Sequence, residues 1–262
     1  MTQNNTDHIL AIQGLYNNQA IISKPITKGF VHNVYIVQHE NEKNVFRFSS
    51  LSCATRNANI SSVLTKYGFN VPKVSVLKMG SEYCEVYPFI NGITLKERAC
   101  IEPVSNDTIK RICKQLIEIS YELKNVPKYE IIDGYNENIL WRARAVDTCF
   151  SIINGSAKQI CHCDLNDGNI LLDKNDDVCA ILDLDAVNKG CFELSILKMA
   201  RFMHTNQGVD LKDFYSLCPT RFGTKSFNPK KQMQAYLFMR KIYRLIRGKN
   251  HNNIQTLQNR QK

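Results

Sequence analysis

The chain has 262 residues, 44% of them hydrophobic and 22% charged, a composition normal for a globular protein that buries one large core or two modest lobes. No apolar run approaches the ~20 residues that span a bilayer, and the N-terminal Thr2-Gln3-Asn4-Asn5-Thr6-Asp7 has no basic-then-apolar leader, so the expected location is the cytoplasm. The formal net charge of +10 is uneven: residues 214–262 hold 11 Lys and Arg and no Asp or Glu, which leaves 23 of the 34 basic residues to face all 24 acidic ones in the first 213.

In chain order, residues 26–37 alternate on either side of Gly29 and predict a strand pair, with Asn33 on its second arm. A glycine alone in such a pair ordinarily marks a bulge or turn. After the turn Asn41-Glu42-Lys43-Asn44, the strand Val45-Phe46-Arg47-Phe48 sets a cation between bulky apolar neighbours. Alternation aims Arg47 away from them, into a cleft. The helix predicted from Cys53 to Tyr67 contains no acidic residue. Gly92 reads as a turn and Thr94 as the N-cap of a helix beginning at Leu95. From Ser105 to Lys124, Ile109, Ile112, Cys113, Leu116, Ile117, Ile119 and Leu123 recur at helical spacing behind a Ser105 cap. A further helix is expected from Glu137 to Ile153.

The chemistry concentrates in His162-Cys163-Asp164-Leu165-Asn166-Asp167-Gly168-Asn169-Ile170-Leu171 and in Ile181-Leu182-Asp183-Leu184-Asp185. Ile170 to Asp173 and Val178 to Leu182 read as strands joined by the polar turn 174–177, so a hairpin brings Asn169 and Asp183 to one end. Asp164 and Asn169, five residues apart, can face one cleft from a single loop. The carboxylate is suited to accept a hydroxyl proton, while the carboxamide oxygen and Asp183 supply hard ligands for a magnesium ion. Phosphoryl transfer asks for little covalent help. It needs neutralised phosphate charge and an acceptor hydroxyl held in line. Asp, Asn and Gly also dominate ordinary turns, and it is the two motifs in order, with a hairpin between them, that favour chemistry over a plain turn.

These motifs resemble those of the aminoglycoside phosphotransferase and choline kinase superfamily, small-molecule relatives of the protein kinases, with Cys163 where a glycine is usual. The resemblance covers about residues 20–205. It implies an α+β, bilobal protein-kinase-like fold: an N-terminal lobe over residues 1–89 with an antiparallel sheet and a helix, a larger mainly helical C-terminal lobe over 90–248, and a polar tail over 249–262. It implies ATP and Mg2+ as cofactors, Asp164 as catalytic base, Asn169 and Asp183 as metal ligands, His162 as a residue shaping the loop, and Asp185 in support. Residues 26–37 would be the hairpin covering the phosphates, which gives Gly29 and Asn33 a nucleotide role. Arg47 would meet the phosphates. Relatives tether that cation to a glutamate on the next helix, so here Asn57 or Asn59 would substitute. Residues 83–95 resemble the strand and hinge that hold adenine, with backbone groups near Tyr87 and Phe89 reading the base. Lys189 to Ser195 fits the segment leading into a core helix, with Glu193 in place of an aspartate.

The expected partner is a small-molecule hydroxyl acceptor such as an amino alcohol, a sugar or an aminoglycoside. An amino alcohol would call for an aromatic box, and Tyr135, Trp141 and Tyr129 are its candidates. Two other readings stand beside this one. The acid-free helix suggests a catalytically weak nucleotide-binding module. The basic helix expected from Lys231 to Arg247, with Arg240, Arg244 and Arg247 on one stripe, suggests contact with an anionic surface and a kinase for a cell-envelope glycan. Nucleic acid is not an expected partner. The ten cysteines include no C-x-x-C pair, and the neighbours in Cys161-His162-Cys163 point to opposite faces of a strand, which argues against a disulfide framework or a zinc site.

Overall fold

A computed structural model describes residues 3–23, 33–131 and 158–218, together with Gln234. Gly29, Tyr135, Trp141, the helix expected over 137–153, and the basic C-terminal helix and tail lie outside the described residues. The N-terminal part is a five-stranded antiparallel sheet of β1 (Ile21–Ile22), β2 (Val34–His39), β3 (Glu42–Ser49), β4 (Ser75–Met79) and β5 (Glu82–Pro88), in the order β1-β2-β3-β5-β4. The tight turn between β2 and β3 places Glu40 at φ 52°, and that between β4 and β5 places Gly80 at φ 64°. These left-handed values match hairpin turns that follow the natural twist of the strands.

Alternation gives the sheet two different faces. Tyr35, Val37, Phe46, Phe48 and Cys84 bury together with Ile12 of helix α1 (Gln3–Leu15). His8 of α1 stacks on Phe48 with ring centroids 3.7 Å apart, and its Nε2 lies 2.5 Å from the Glu82 carboxylate. Arg47 and Glu85 therefore point to the other face, because their strand neighbours are committed to this core. Across that other face runs α2 (Leu51–Lys66), whose first turn is capped by Ser50 Oγ accepting from the Cys53 N–H. Ile60, Val63 and Leu64 of α2 bury against Leu123, Val126, Ile160, Leu184 and Val187, so this helix joins the sheet to the rest of the molecule.

The chain leaves β5 at Pro88, forms β6 (Ile93–Thr94) and enters α3 (Leu95–Ile101) through a capping box in which Thr94 and Glu97 satisfy each other's backbone N–H groups. Gly92 serves close approach rather than a left-handed turn. A Cβ there would lie 2.7 Å from both Leu171 Cγ and the Leu172 carbonyl oxygen. Gly92→Ala should therefore destabilise the fold by about 1–3 kcal/mol through overpacking, read as a lower urea midpoint with an unchanged slope.

Beyond α3 the fold turns largely helical. The apolar stripe of α4 (Asn106–Leu123), capped by Ser105 as expected, packs on α5 (Phe192–Gln207) and α6 (Leu211–Ser216), burying Ile112, Leu116, Leu197, Met203 and Phe214 in one core. On this base sit two small antiparallel sheets. β7 (Lys158–His162) pairs with β10 (Val187–Cys191), and β8 (Ile170–Leu172) lies between β6 and β9 (Val178–Ile181). The β8–β9 hairpin pairs Ile170 with Ile181, and Asp173 Oδ1 closes its turn by accepting from the Asn175 and Asp177 N–H groups.

Candidate active site

The loop between β7 and β8 carries the first motif, and the turn after β9 carries the second. Three hydrogen bonds fix their relation. Asn169 Nδ2 donates to the Asp164 carbonyl at 2.9 Å, the Leu182 N–H donates to the Asn169 carbonyl at 2.9 Å, and His162 Nε2 donates to the Leu182 carbonyl at 2.9 Å. His162 Nδ1 accepts the Asp164 N–H at 3.3 Å. The buried ring therefore bridges the backbone that carries Asp164 and the backbone that leads into Asp183. Further anchors come from Ser195 Oγ, which donates to the His162 carbonyl at 2.7 Å, and from the Cys163 N–H, which donates to the Ala186 carbonyl at 2.8 Å.

Within this frame the Asp164 residue is exposed, and Asn166 Nδ2 donates to its Oδ2 at 2.9 Å. Asn169 is buried, and tying its nitrogen to Asp164 orients its side-chain oxygen as an acceptor. Asp183 adopts the left-handed conformation, φ 61° and ψ 67°, unusual for a residue with a side chain and held by the Ala186 N–H donating to its carbonyl. Asp167 is instead buried, accepting from Asn206. A carboxamide oxygen beside a carboxylate is the hard, all-oxygen donor set that suits magnesium.

Burial holds the His162 pKa below its ordinary value, against smaller opposing effects of the Leu182 carbonyl and the Asp164 charge. A group whose folded pKa is depressed stabilises fully above its unfolded pKa, near ~6.5, and loses that contribution as pH falls toward the folded value. Unfolding midpoints should thus fall between about pH 7 and pH 5, and His162→Gln should flatten this dependence while lowering the midpoint at neutral pH. An unaltered slope in the variant would contradict the neutral, bridging ring.

Facing these loops is a second cluster, centred on Arg47. Its Nη1 lies 3.0 Å from both Glu85 carboxylate oxygens, and its Nη2 pairs with Asp185 Oδ2. Asn57 Nδ2 donates to Glu85 Oε2 at 3.0 Å and to Asp185 Oδ1 at 2.6 Å, and Ser49 Oγ donates to Glu85 Oε1 at 2.8 Å. Burial alone would push the Arg47 pKa down, but Asp185 and Glu85 outweigh it and hold the guanidinium firmly charged. The Cys53 thiol, 3.1 Å from Asp185 Oδ1, is pushed up to about 12 by burial and by the Asp185 and Glu85 charges. It stays protonated and donates. Cys53, Glu85 and Asp185 lie close enough together to suggest a metal site, but Arg47 is already paired with both carboxylates.

Of the two asparagines expected to replace a helix glutamate, only Asn57 joins this cluster, since Asn59 Nδ2 donates to the Glu130 carbonyl. Glu85 was not anticipated. Its signal was an acid inside a strand whose other neighbours, Cys84 and Val86, serve the core face.

Tyr87 lies on the same side of β5 as Glu85. Burial raises its pKa, with the Arg47 charge opposing and the Glu85 and Asp183 charges adding to the rise. At the hinge, Pro88 has no N–H and the Phe89 N–H is spent on the Lys43 carbonyl at 2.8 Å, so residues 88–89 have only carbonyls to offer a base. Asn33 turns the other way, with Nδ2 3.5 Å from His8 Nδ1 on the sheet face opposite Arg47.

This two-part architecture, an antiparallel sheet with its helices joined to a largely helical part, is a bilobal fold also found in small-molecule phosphotransferases. More particularly, the chain has the aminoglycoside phosphotransferase fold. It superposes on the GDP complex of aminoglycoside 2'-phosphotransferase-IIIa with a TM-score of 0.65 at 15% identity, covering 95% of this chain and 93% of that one. A thermostable mutant of aminoglycoside phosphotransferase APH(4)-Ia in its apo form gives 0.63 at 10% identity, covering 93% of each chain. Spectinomycin phosphotransferase APH(9)-Ia with ADP and spectinomycin gives 0.56 at 13% identity, covering 86% and 79%. No protein-family model matches the chain, and no curated protein matches it in sequence. Among the described residues, no helix is long and apolar enough to cross a membrane.

Proposed function

We propose that the protein is a magnesium-dependent phosphotransferase that moves the γ-phosphoryl group of a nucleoside triphosphate, ATP by the sequence reading, to a hydroxyl of a small molecule. The observation that carries this reading is the convergence of the Asp164 loop, Asn169 and the Asp183 turn through the bonds that Asn169, Leu182 and His162 make. The fold agrees with it: solved structures of the same architecture are described as phosphotransferases in complex with GDP or ADP.

In this reading Asp164 accepts the proton of the acceptor hydroxyl as the oxygen attacks phosphorus. Asn166 orients the carboxylate. Asn169 and Asp183 would hold the magnesium ion, which when bound neutralises the charge of the triphosphate. Arg47 offers a fixed positive charge to the phosphates from the opposite wall. The acceptor belongs to the class of hydroxyl-bearing small molecules, with aminoglycosides and amino alcohols the first to try. The pairing of Arg47 with Glu85 and Asp185 supports turnover over a binding module without it, since the cation has acidic partners although helix α2 supplies none.

The test is incubation with MgATP, and separately MgGTP, across amino alcohols, sugars and aminoglycosides, with mass spectrometry of the acceptors. A phosphorylated acceptor, formed only with magnesium, is the expected result. Tight nucleotide binding with no acceptor phosphorylated and no acceptor-stimulated nucleotide consumption would favour the module.

A further inference from the structure

We infer that Glu85 is the positioning residue that holds Arg47 ready for the triphosphate, and that this support comes from the β-sheet itself rather than from helix α2. The inference rests on the phosphotransferase reading above and names a part that the reading does not require.

An arginine side chain carries much rotamer entropy, so a guanidinium that is to meet phosphate gains from being pinned beforehand. Arg47 and Glu85 face each other directly in the β3–β5 ladder. Their pairing is thus set by strand register, the least adjustable geometry in the N-terminal part. The Glu85 side chain is only 2% exposed, and its two oxygens accept from Arg47, Ser49 and Asn57. A buried carboxylate with so many donors is a built feature, since it would otherwise be costly. Helix α2 contributes only neutral donors, the Asn57 amide and the protonated Cys53 thiol. A displacement of α2 would remove two neutral contacts and leave the ion pair in the sheet.

The two ends of the guanidinium are also unlike each other. Nη1 is held by both Glu85 oxygens at 3.0 Å within its own sheet and meets Asp185 Oδ1 only at 3.4 Å, whereas Nη2 pairs with Asp185 Oδ2, in the turn just after Asp183. A triphosphate oxygen and the Asp185 carboxylate are both anionic acceptors suited to Nη2. Exchange of one for the other leaves the Glu85 contact in place, so Arg47 keeps its aim while its partner changes.

The experiment measures dissociation constants by calorimetry for MgATP and adenosine, with MgGTP and guanosine as a second pair, in the full chain and three variants. Glu85→Gln should weaken triphosphate binding about tenfold, as expected for the loss of one charge-assisted contact, and leave nucleoside binding unchanged. In Glu85→Gln with Asn57→Asp the charge moves to the helix and the amide introduced at position 85 can donate to it, so triphosphate affinity should largely return. Asn57→Asp alone tests whether the added acid harms binding by itself, and no recovery in the double variant beyond Glu85→Gln would contradict the charge-holding role. Equal losses for nucleoside and triphosphate in Glu85→Gln would mark Glu85 as merely structural and overturn the inference, as would an unchanged triphosphate affinity. Should Glu85→Gln fail to fold, Glu85→Asp carries the same comparison with the charge kept and withdrawn by one methylene. A wild-type chain that binds none of the four ligands would instead sink the phosphotransferase reading on which the inference stands.

Discussion

Asp164→Ala should abolish most phosphoryl transfer, lowering kcat by about 100- to 10,000-fold, the range general-base catalysis contributes, while leaving nucleotide affinity nearly unchanged. The separation follows from the geometry. The Asp164 side chain bonds only to Asn166 among the hydrogen bonds described around it, whereas the loop backbone is held by His162 Nδ1, by the Ala186 carbonyl and by Asn169. Truncating the carboxylate therefore leaves the loop standing and the two metal-ligand candidates in place. Steady-state kinetics with a phosphorylated acceptor, set beside calorimetric nucleotide binding, reads both quantities. A variant that keeps its kcat would show that another group takes the proton.

Arg47→Met should give the largest loss of stability, about 3–5 kcal/mol, because it strands two carboxylates that now share the guanidinium as partner. Glu85 is almost wholly buried and cannot escape to water. Asp185 is about a quarter exposed and can partly rehydrate. The companion Glu85→Gln removes a charge but keeps an amide of the same shape, so its cost should be smaller than that of Arg47→Met. Urea unfolding of the three proteins gives the order directly, and a milder effect for Arg47→Met would mean that the cluster does not rely on its cation.

Much of the candidate site was legible in the sequence because its parts are local. Asp164, Asn169 and Asp183 lie within twenty residues of one another, and a hairpin whose turn announces itself in Lys174 to Asp177 is enough to fold them together. Helix α4 was legible for the same reason, through a serine cap and an apolar stripe, while α2 starts at Leu51, two residues before the expected Cys53. The partner of Arg47 was not, because it depends on β3 pairing with β5 rather than with β4, the next strand in sequence, and register is decided by the whole sheet. The lack of an acid in α2 is plain from the residues, and a substitute was expected on that helix. The charge stands instead one strand away. Helix α1 escaped notice because its apolar residues form no clear stripe, with Leu10 and Leu15 exposed and His8 doing part of the packing. Gly92 was read as a turn, yet its requirement is the space that Leu171 and Leu172 occupy, which no local pattern reveals.

The proposed phosphoryl transfer rests above all on Asn169 and Asp183 together holding a divalent ion on a bound triphosphate. Manganese in place of magnesium makes that visible by electron paramagnetic resonance during titration with ATP or GTP. The wild-type chain should form a ternary complex with a signal distinct from manganese-nucleotide in solution, and Asn169→Ala with Asp183→Asn should lose it while remaining folded. A ternary signal that persists unaltered in the double variant, or never forms in the wild type, would contradict the assignment.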